Sequence, residues 1–580
     1  MKNKEIADLL RLIGIYKELS GEDVFRVRAY QQAAKNIEMM DRDIEELYKK
    51  GELRSIKGVG KSVEEIINEY LGTGKSSILE EFRKKYPDSL LELLSIPGMG
   101  PRKVKVLWEK LGISNLGELE YACRENRLIS LEGFGLKTQE KILRGIELRK
   151  RYREQHLYPE AEAIAKELLE EIKSGNMVDT ISIAGSLRRG KTILKDIDMI
   201  VVPKDSAGTD RLVEYLTTLT DSDNKNEGII AAGETKVSIR RGGIQVDFRI
   251  VSRESYPTAL QHFTGSKEHN TILRSRAKEM GLKMNEYGIY RDSEKIPVST
   301  EEEVYGALNL KYIPPEIREG GDEIRAAETD NLPELVTEKD IKGIIHVHSN
   351  YSDGINSVKE LAEYCIKKGY RFICISDHSK SAYYANGLSV ERILEQIDEI
   401  KKLNSELKPF RIFCGIESDI LSDGSLDYPD DILEKLDFVI ASIHSRLSMS
   451  EEEATERLLK AIENPYTTIL GHISGRLLLS REGYRYNETL IMEAMKKHNV
   501  ALEHNCNPHR LDPDWPMMKR AAEMGIPVSL GPDAHSIEGL EDMRYGIMMA
   551  RKGWLEKKNL LNCMEPEELD EYFRRKKKQS

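Results

Sequence analysis

The 580-residue chain lacks three things that would have placed it at once. No run approaches the ~18 apolar residues that a bilayer-spanning helix needs. The opening Met-Lys-Asn-Lys-Glu is read as carrying no signal-peptide core. Cysteine is scarce: the six residues show no Cys-x-x-Cys spacing. That argues against a disulfide framework or cysteine-bound zinc, and predicts a cytoplasmic protein in a reducing compartment. Positive charge is also short. The formal net charge of −11 excludes binding to nucleic acid through a bulk basic field, so any such binding must rest on placed contacts. The deficit is uneven. Residues 1–150 carry 28 Lys and Arg against 25 Asp and Glu, so the acidic excess lies beyond them. The terminal Arg574-Arg575-Lys576-Lys577-Lys578 reads as a solvated end. The length predicts three to five domains, each able to bury a core.

The most informative segment that is present runs Gly185-Ser186-Leu187-Arg188-Arg189-Gly190, followed by Asp196-Ile197-Asp198. The apolar run Thr180 to Ala184 predicts a strand that delivers the Gly-Ser turn. Residues two apart in a strand share a face, so Asp196 and Asp198 project side by side. Asp247 lies in Ile244-Gln245-Val246-Asp247-Phe248-Arg249-Ile250, a second alternating strand that could pair with the first. A bare Asp-x-Asp is usually a solvent-facing edge strand. Here the turn, two arginines and a third carboxylate occur in order, and three carboxylates on adjacent strands repel unless cations sit among them. Oxygen-only ligands select Mg²⁺ or Mn²⁺, and a pair of such ions serves in-line phosphoryl transfer.

On Gly185, Ser186, Arg189, Asp196, Asp198 and Asp247 the chain resembles the palm of the family X DNA polymerases, members of the nucleotidyltransferase superfamily. Phe263-Thr264-Gly265-Ser266-Lys267-Glu268-His269-Asn270 resembles that family's thumb segment. The resemblance implies that Asp196 and Asp198 bind both metals and that Asp247 takes the proton of the primer 3′-hydroxyl. It implies that Gly185, Ser186 and Arg189 hold the triphosphate. Gly265, Ser266 and Asn270 would then face the nucleotide, with Asn270 at the base edge, and Arg274 would face the template strand. One departure is His262, where the family carries an aromatic residue; it bears on the choice between deoxyribose and ribose.

Residues 1–150 read as helices, with Ile6, Leu9, Leu10, Leu12 and Ile13 at helical spacing. Three segments share one plan of an apolar residue, Gly-x-Gly, then an amphipathic helix. They centre on Gly58-Val59-Gly60, Gly98-Met99-Gly100 and Gly133-Phe134-Gly135. Such glycines expose successive N–H groups at a helix start, which cradles a phosphate. Lys61, Arg102, Lys103 and Lys137 add charge, and the third segment, with the fewest basic residues, is expected to bind most weakly. These segments resemble helix-hairpin-helix motifs, which grip a DNA strand without reading sequence. Arg26, Arg28, Ala29, Tyr30, Ala33 and Ala34 resemble a helix of the family's small lyase domain. The lysine that forms a Schiff base in that domain has Ile66 in its place here, so 5′-phosphate binding without efficient lyase activity is expected.

Nine of the twelve histidines lie beyond Lys339. Seven short apolar runs follow: 343–348, 371–378, 411–417, 438–444, 467–472, 500–503 and 527–535, each ending in a potential metal ligand. Repeated strand-then-helix units predict a parallel sheet, closed as a barrel or left open. In a barrel the strand ends meet on one face. His346, His348, Asp353, His378, Glu417, His444, His472, Asp533 and His535 would then converge, a set suited to two or three Zn²⁺, Mn²⁺ or Fe²⁺ ions. The pattern resembles the polymerase-and-histidinol-phosphatase (PHP) domain, a distorted seven-stranded barrel, with all nine ligand positions of its active members filled. Arg446 and Arg510 could bind non-bridging phosphate oxygens. His504 and His509, near Glu503, read as pocket-wall or supporting residues, and Asp377 as a neighbour.

The expected fold is therefore multidomain: an α-helical helix-hairpin-helix N-terminal region, an α/β nucleotidyltransferase palm and thumb, and a C-terminal distorted (β/α)7 barrel. The expected boundaries are 1–85, a lyase-like helical domain; 86–150, fingers; 151–255, palm; 256–319, thumb; 320–336, linker; and 337–580, barrel. Tyr152 to Ile172 is read as one helix entering the palm, and 221–226 as a polar turn. The reading implied is a gap-filling DNA repair polymerase with a 3′–5′ exonuclease. Its partners would be gapped or primer-template DNA and deoxynucleoside triphosphates; it would be a monomer, nucleoid-associated and free of membranes. Two alternatives stand beside it: a small-molecule phosphoesterase tethered to a DNA-binding front, and a DNA-binding scaffold with an inactive polymerase.

Overall fold

The computed structural model describes residues 2–578 apart from 41, 97, 130, 132, 153, 205–208 and 222–227. The polar turn expected at 221–226 therefore lies almost wholly outside the described residues. Residues 1–153 and 154–580 form two compact units. No helix among the described residues is long and apolar enough to cross a membrane.

The first unit is helical. Ile6, Leu9, Leu10 and Ile13 form the buried stripe of the helix Lys2–Ser20, and Ile66 is part of the same core. Helices α1 (Lys61–Thr73), α2 (Pro101–Leu111) and α3 (Leu136–Tyr152) each begin directly after one Gly-x-Gly. Gly58, Gly98 and Gly133 have φ of 91°, 86° and 82°, a conformation that L side chains rarely adopt. Gly60 and Gly100 cap their helices without a side-chain hydrogen bond, so the first N–H groups stay available at the helix end.

The second unit opens on a correction. The helix expected over 152–172 is interrupted. The helix α3 ends at Tyr152, His156–Leu157 pairs as a short strand with Ile193–Leu194, and α4 spans Tyr158–Ser174. Pro159 near its start and the Glu160 carboxylate accepting from the Leu157 N–H explain the new start. Apolar periodicity runs through this break because the strand also packs inward. The palm sheet has strands β1 (Val178–Ile183), β2 (Asp196–Pro203), β3 (Ile229–Gly233), β4 (Lys236–Arg241) and β5 (Ile244–Ile250), in the order β1-β2-β5-β4-β3. Gly242-Gly243 makes the tight β4–β5 hairpin. Strands β2 and β5 are parallel, with Asp198 directly opposite Asp247. Their other face, carrying Ile197, Met199, Val246 and Phe248, is sealed against α4 residues such as Ala165 and Leu168.

The thumb contains α5 (Tyr256–Thr264), α6 (Lys267–Glu279) and an antiparallel sheet of β6 (Leu282–Asn285), β7 (Gly288–Arg291) and β8 (Glu294–Ile296). The segment 320–336 is not the structureless linker expected from its acidity. It contains a helix, Glu323–Glu328, and buries Glu323, Ile324, Ala327, Leu335 and Val336. The Glu323 carboxylate accepts from the His269 ring at 2.8 Å and from the Gly320 and Gly321 N–H groups at 2.7 Å. An acidic residue that caps a chain turn from inside looks, in sequence, like one that faces water.

All seven expected barrel strands are present: β9 (Gly343–Val347), β10 (Phe372–Ile375), β11 (Arg411–Asp419), β12 (Phe438–Ser442), β13 (Ile469–Leu470), β14 (Ala501–Asn505) and β15 (Val528–Gly531). They are parallel and in sequence order. The His348 N–H donates to the Ala534 carbonyl at 2.9 Å, which brings the first strand's end against the last. The barrel interior is filled by Ile345, Phe372, Phe413 and Phe438 and plugged by Phe573, whose ring stacks on Phe438 at 5.2 Å.

A barrel helix, α7 (Met543–Lys552), locks onto palm and thumb. The Lys552 ammonium is buried and donates to the Arg189 carbonyl at 3.1 Å and the Glu316 carbonyl at 3.2 Å, and pairs with Glu319. Arg551 pairs with Glu316 at 2.7 Å, and Tyr545 packs edge-on against Tyr158. The expected result of Lys552→Ala, which leaves Glu319 and two carbonyls without their donor, is a loss of about 3 kcal/mol. A lowered denaturant midpoint of polymerase unfolding checks this; an unchanged midpoint contradicts the joint.

Candidate active sites

The palm site is built from strand register. Asp196 and Asp198 share one face of β2, and Asp247 stands opposite Asp198 on β5. Gly185 has φ of 63°, and a Cβ there would overlap the Asp198 carboxylate, so the Gly-Ser turn can lie against the triad only with glycine. Burial, with Asp196 and Asp247 close by, pushes the Asp198 carboxyl up to about 7. Burial, with Asp247 nearby, raises Asp196 as well. Burial also opposes the Asp247 charge, but Lys236 at 2.8 Å and the Gln245 amide at 3.0 Å outweigh it and hold its carboxyl below the usual range. Lys236 was not singled out in the sequence; its signal is same-face alternation with Ser238, the residue paired across from Asp247.

The two arginines of the turn reach the thumb. Arg188 makes a two-pronged pair with Glu301, at 2.7 and 3.0 Å, and donates to the Thr264 hydroxyl. Arg189 is buried, donates to the Thr264 carbonyl and faces Glu319 at 3.4 Å. Ser186 lies half-buried at the head of the turn. In the thumb, the Ser266 hydroxyl caps α6 by accepting from the His269 N–H, next to Gly265. The Asn270 amide is engaged at both ends: it accepts from Gln261 at 2.8 Å and donates to the His262 carbonyl at 2.7 Å. Arg274 is exposed, its Nε donating to the Asn270 carbonyl. The His262 ring packs edge-on to Phe263, and burial lowers its pKa.

At the barrel the nine expected ligands converge. His348, Asp353, His378 and His535 form one group, His346, His348 and Asp533 a second, and His378, Glu417 and His444 a third; within each, ligand atoms lie within 4.8 Å of one another. His472 joins them through Glu417 at 2.9 Å. Two ligands are placed by unusual backbone: His346 has φ of 67° at a register shift in β9, and Asp533 has φ of 54°. Two supporting carboxylates went unrecognised as such in the sequence. Glu503 accepts from the His346 ring at 2.5 Å and the His472 N–H at 2.8 Å. Asp419, two residues after Glu417 on the same strand, accepts from the His444 ring. Asp377 gathers Ser349, Ser352 and Gln396 and so holds the loop that follows His348. His504 is buried against the Pro513 carbonyl, His509 is exposed, and Arg510 lies 3.8 Å from Asp533.

The donor chemistry fits metal ions. Buried side-chain atoms of His346, His348 and His472 have no hydrogen-bond partner, and those of Asp353, His378 and Glu417 meet only one another or a neighbouring imidazole, as His378 Nδ1 meets Glu417 at 2.8 Å, an arrangement a cation would relieve. The titration pattern agrees. Against burial, Glu417 and Asp419 push His444 up to about 10, and Asp353 and Asp533 push His535 up to about 9. Burial and the neighbouring His535 and His378 push His348 down to about 3. Metal-free, some imidazoles take protons to balance Glu417 and Asp533, and cations would displace those protons.

Residues 1–76 match the description helix-hairpin-helix domain, 90–149 a SAM-like helix-hairpin-helix tandem, 259–319 the DNA polymerase beta thumb and 345–507 the PHP domain. DNA polymerase/3'-5' exonuclease PolX of Bacillus subtilis is 40% identical over 580 residues, covering 99% of this chain and 100% of that protein. The chain belongs to the PolX group of family X DNA polymerases. DNA polymerase lambda of Arabidopsis thaliana is 26% identical over 54% of this chain and 62% of its own length. The probable phosphatase TTE1963 of Caldanaerobacter subterraneus subsp. tengcongensis is 31% identical over 33% of this chain and 74% of its own length. Polymerases and PHP-type enzymes are metal-dependent, and the histidine and carboxylate groups of the barrel could hold ions.

The palm electrostatics predict a pH effect. Folded metal-free Asp198 keeps its proton to about 7, whereas an unfolded aspartate loses it near 3.9. The folded state therefore binds more protons between those values, and stability falls as pH rises through that window. In EDTA at pH 8, Asp198→Asn is expected to be more stable than wild type, by at most about 4 kcal/mol, with the gap closing toward pH 4. Denaturation at the two pH values measures it; a constant gap contradicts the assignment.

Proposed function

We propose that this chain fills short gaps in DNA, the palm adding deoxynucleotides to a primer 3′-end and the barrel removing nucleotides from 3′-ends by phosphodiester hydrolysis. The observation that carries this is the presence of two complete, separate carboxylate or histidine clusters in one chain, backed by full-length likeness to a polymerase/exonuclease. Asp247 accepts the proton of the primer 3′-hydroxyl as its oxygen bonds to the α-phosphorus and pyrophosphate leaves. Asp196 and Asp198 would hold two Mg²⁺ or Mn²⁺ ions, whose chemistry would be to neutralise charge on the triphosphate. Gly185, Ser186 and Arg189 orient the phosphates, and Gly265, Ser266, Asn270 and Arg274 face the nucleotide and template. At the barrel, His346, His348, Asp353, His378, Glu417, His444, His472, Asp533 and His535 would hold two or three Zn²⁺, Mn²⁺ or Fe²⁺ ions, whose chemistry would be Lewis-acid assistance to phosphodiester hydrolysis. Arg510 and Arg446 meet non-bridging oxygens there.

The N-terminal helix starts at Gly58, Gly60 and Lys61, at Gly98, Gly100, Arg102 and Lys103, and at Gly133 and Gly135 grip the DNA backbone. Ile66, buried in the core, leaves no amine for lyase chemistry at that position. A monomer working in the cytoplasm at the nucleoid, in base excision repair, fits a chain that trims blocked ends and then extends them. A second reading, hydrolysis of small phosphate esters by the barrel, is favoured by its likeness to a probable phosphatase.

The experiment uses gapped DNA with a labelled primer, Mn²⁺, and deoxynucleotides present or absent. Asp247→Ala is expected to lose extension by at least about 10³-fold while still shortening the primer. His346→Ala with His348→Ala is expected to show the reverse. A wild type that extends but never shortens DNA would favour the small-ester reading.

A further inference from the structure

The loop that follows β10 holds two tyrosines in water at the mouth of the barrel site. Tyr383 and Tyr384 are 88% and 72% exposed, the highest values among large apolar side chains of the described residues. The Tyr384 ring centroid lies 6.1 Å from that of His378 and 6.4 Å from that of His444, both in the ligand cluster. An exposed tyrosine on a surface loop is ordinary. This loop differs because it is tied down on both sides of the pair. The Ser381 N–H donates to Asp427 at 2.6 Å, and its hydroxyl donates to Asp419, the carboxylate that also orients His444. After the pair, the Asn386 amide donates to the Ser352 carbonyl at 3.0 Å, and Arg392 donates to the Asn386 carbonyl at 3.0 Å. The Leu388 N–H closes the loop onto the His378 carbonyl at 2.8 Å. One end of the loop is thus fastened to Asp419, beside His444, and the other to the ligand residue His378, while its two aromatic rings stay largely exposed.

We infer that Tyr384, flanked by Tyr383, is a stacking platform for the nucleobase of an unpaired DNA 3′-terminus. The inference rests on the reading of the barrel as a DNA 3′-end nuclease and adds what that site recognises. A phosphodiester among the ligand histidines puts its attached bases within reach of a ring one side chain away. Base–aromatic stacking is worth about 1–3 kcal/mol per base and accepts any base, because each has a π-face. A paired terminus offers its base only after fraying, so the platform favours single-stranded and mismatched ends over matched duplex. It also separates a nucleic-acid end from a small phosphate ester, which has no base to stack.

The test uses full-length protein with Mn²⁺ and single-stranded oligothymidylate. Tyr384→Ala is expected to raise KM about tenfold, within the stacking range, with kcat changed less than threefold. Tyr384→Phe should match wild type, since the ring and not the hydroxyl acts. On an oligonucleotide ending in a base-less tetrahydrofuran nucleotide, wild type and Tyr384→Ala should behave alike. In EDTA, fluorescence of a 3′-terminal 2-aminopurine should be quenched by wild type and Tyr384→Phe and spared by Tyr384→Ala, a readout independent of turnover. Equal KM for wild type and Tyr384→Ala overturns the inference, as does an equal loss on base-bearing and base-less ends, which marks a structural role. A wild type that extends primers but shortens no DNA overturns the underlying reading instead.

Discussion

Asp198 and Asp247 are direct partners on adjacent parallel strands, and the sheet gives them no room to part. Burial, with this like-charge neighbour and Asp196 adding to it, pushes the Asp198 carboxyl up to about 7, and Lys236 tethers the other carboxylate. The barrel meets the same constraint differently. Glu417 and Asp533 are buried among imidazoles and stay ionised because His346 and His444 take up protons beside them. In both places backbone register, not side-chain preference, sets the charge spacing. Both arrangements suit cations, which would replace a proton, an ammonium or an imidazolium already balancing the carboxylates.

The two sites share more than a chain. Arg189 follows the palm's Gly-Ser turn, and its guanidinium and carbonyl are held by Thr264 and Glu319 on one side and by Lys552 of the barrel helix on the other. The barrel is thus part of the wall behind the palm's Gly-Ser turn. The segment 320–336, which carries the chain between thumb and barrel, is packed and capped at Glu323, so the connection is not a free tether.

Much of this was legible in the sequence, because it depended on short-range pattern. Alternation placed Asp196, Asp198 and Asp247 on one face, and seven apolar runs ending in ligands gave the barrel its strands. What was not legible depended on the third dimension. His346 takes φ of 67° at a register shift, which alternation cannot foresee. Glu323 and Glu503 are acidic residues buried by specific donors and look in sequence like any surface glutamate. The break before Tyr158 is hidden because a two-residue strand keeps the apolar rhythm of the helix after it. The Asn270 amide is held by Gln261 and the His262 carbonyl, contacts made by folding that no motif records.

The measurement that bears most directly on this account is anomalous diffraction from crystals of the intact chain soaked in Mn²⁺. The account predicts separate peaks: between Asp196, Asp198 and Asp247, and at two or more positions among His346, His348, Asp353, His378, Glu417, His444, His472, Asp533 and His535. A barrel whose ligand side chains stand as described but which holds no ion would contradict it.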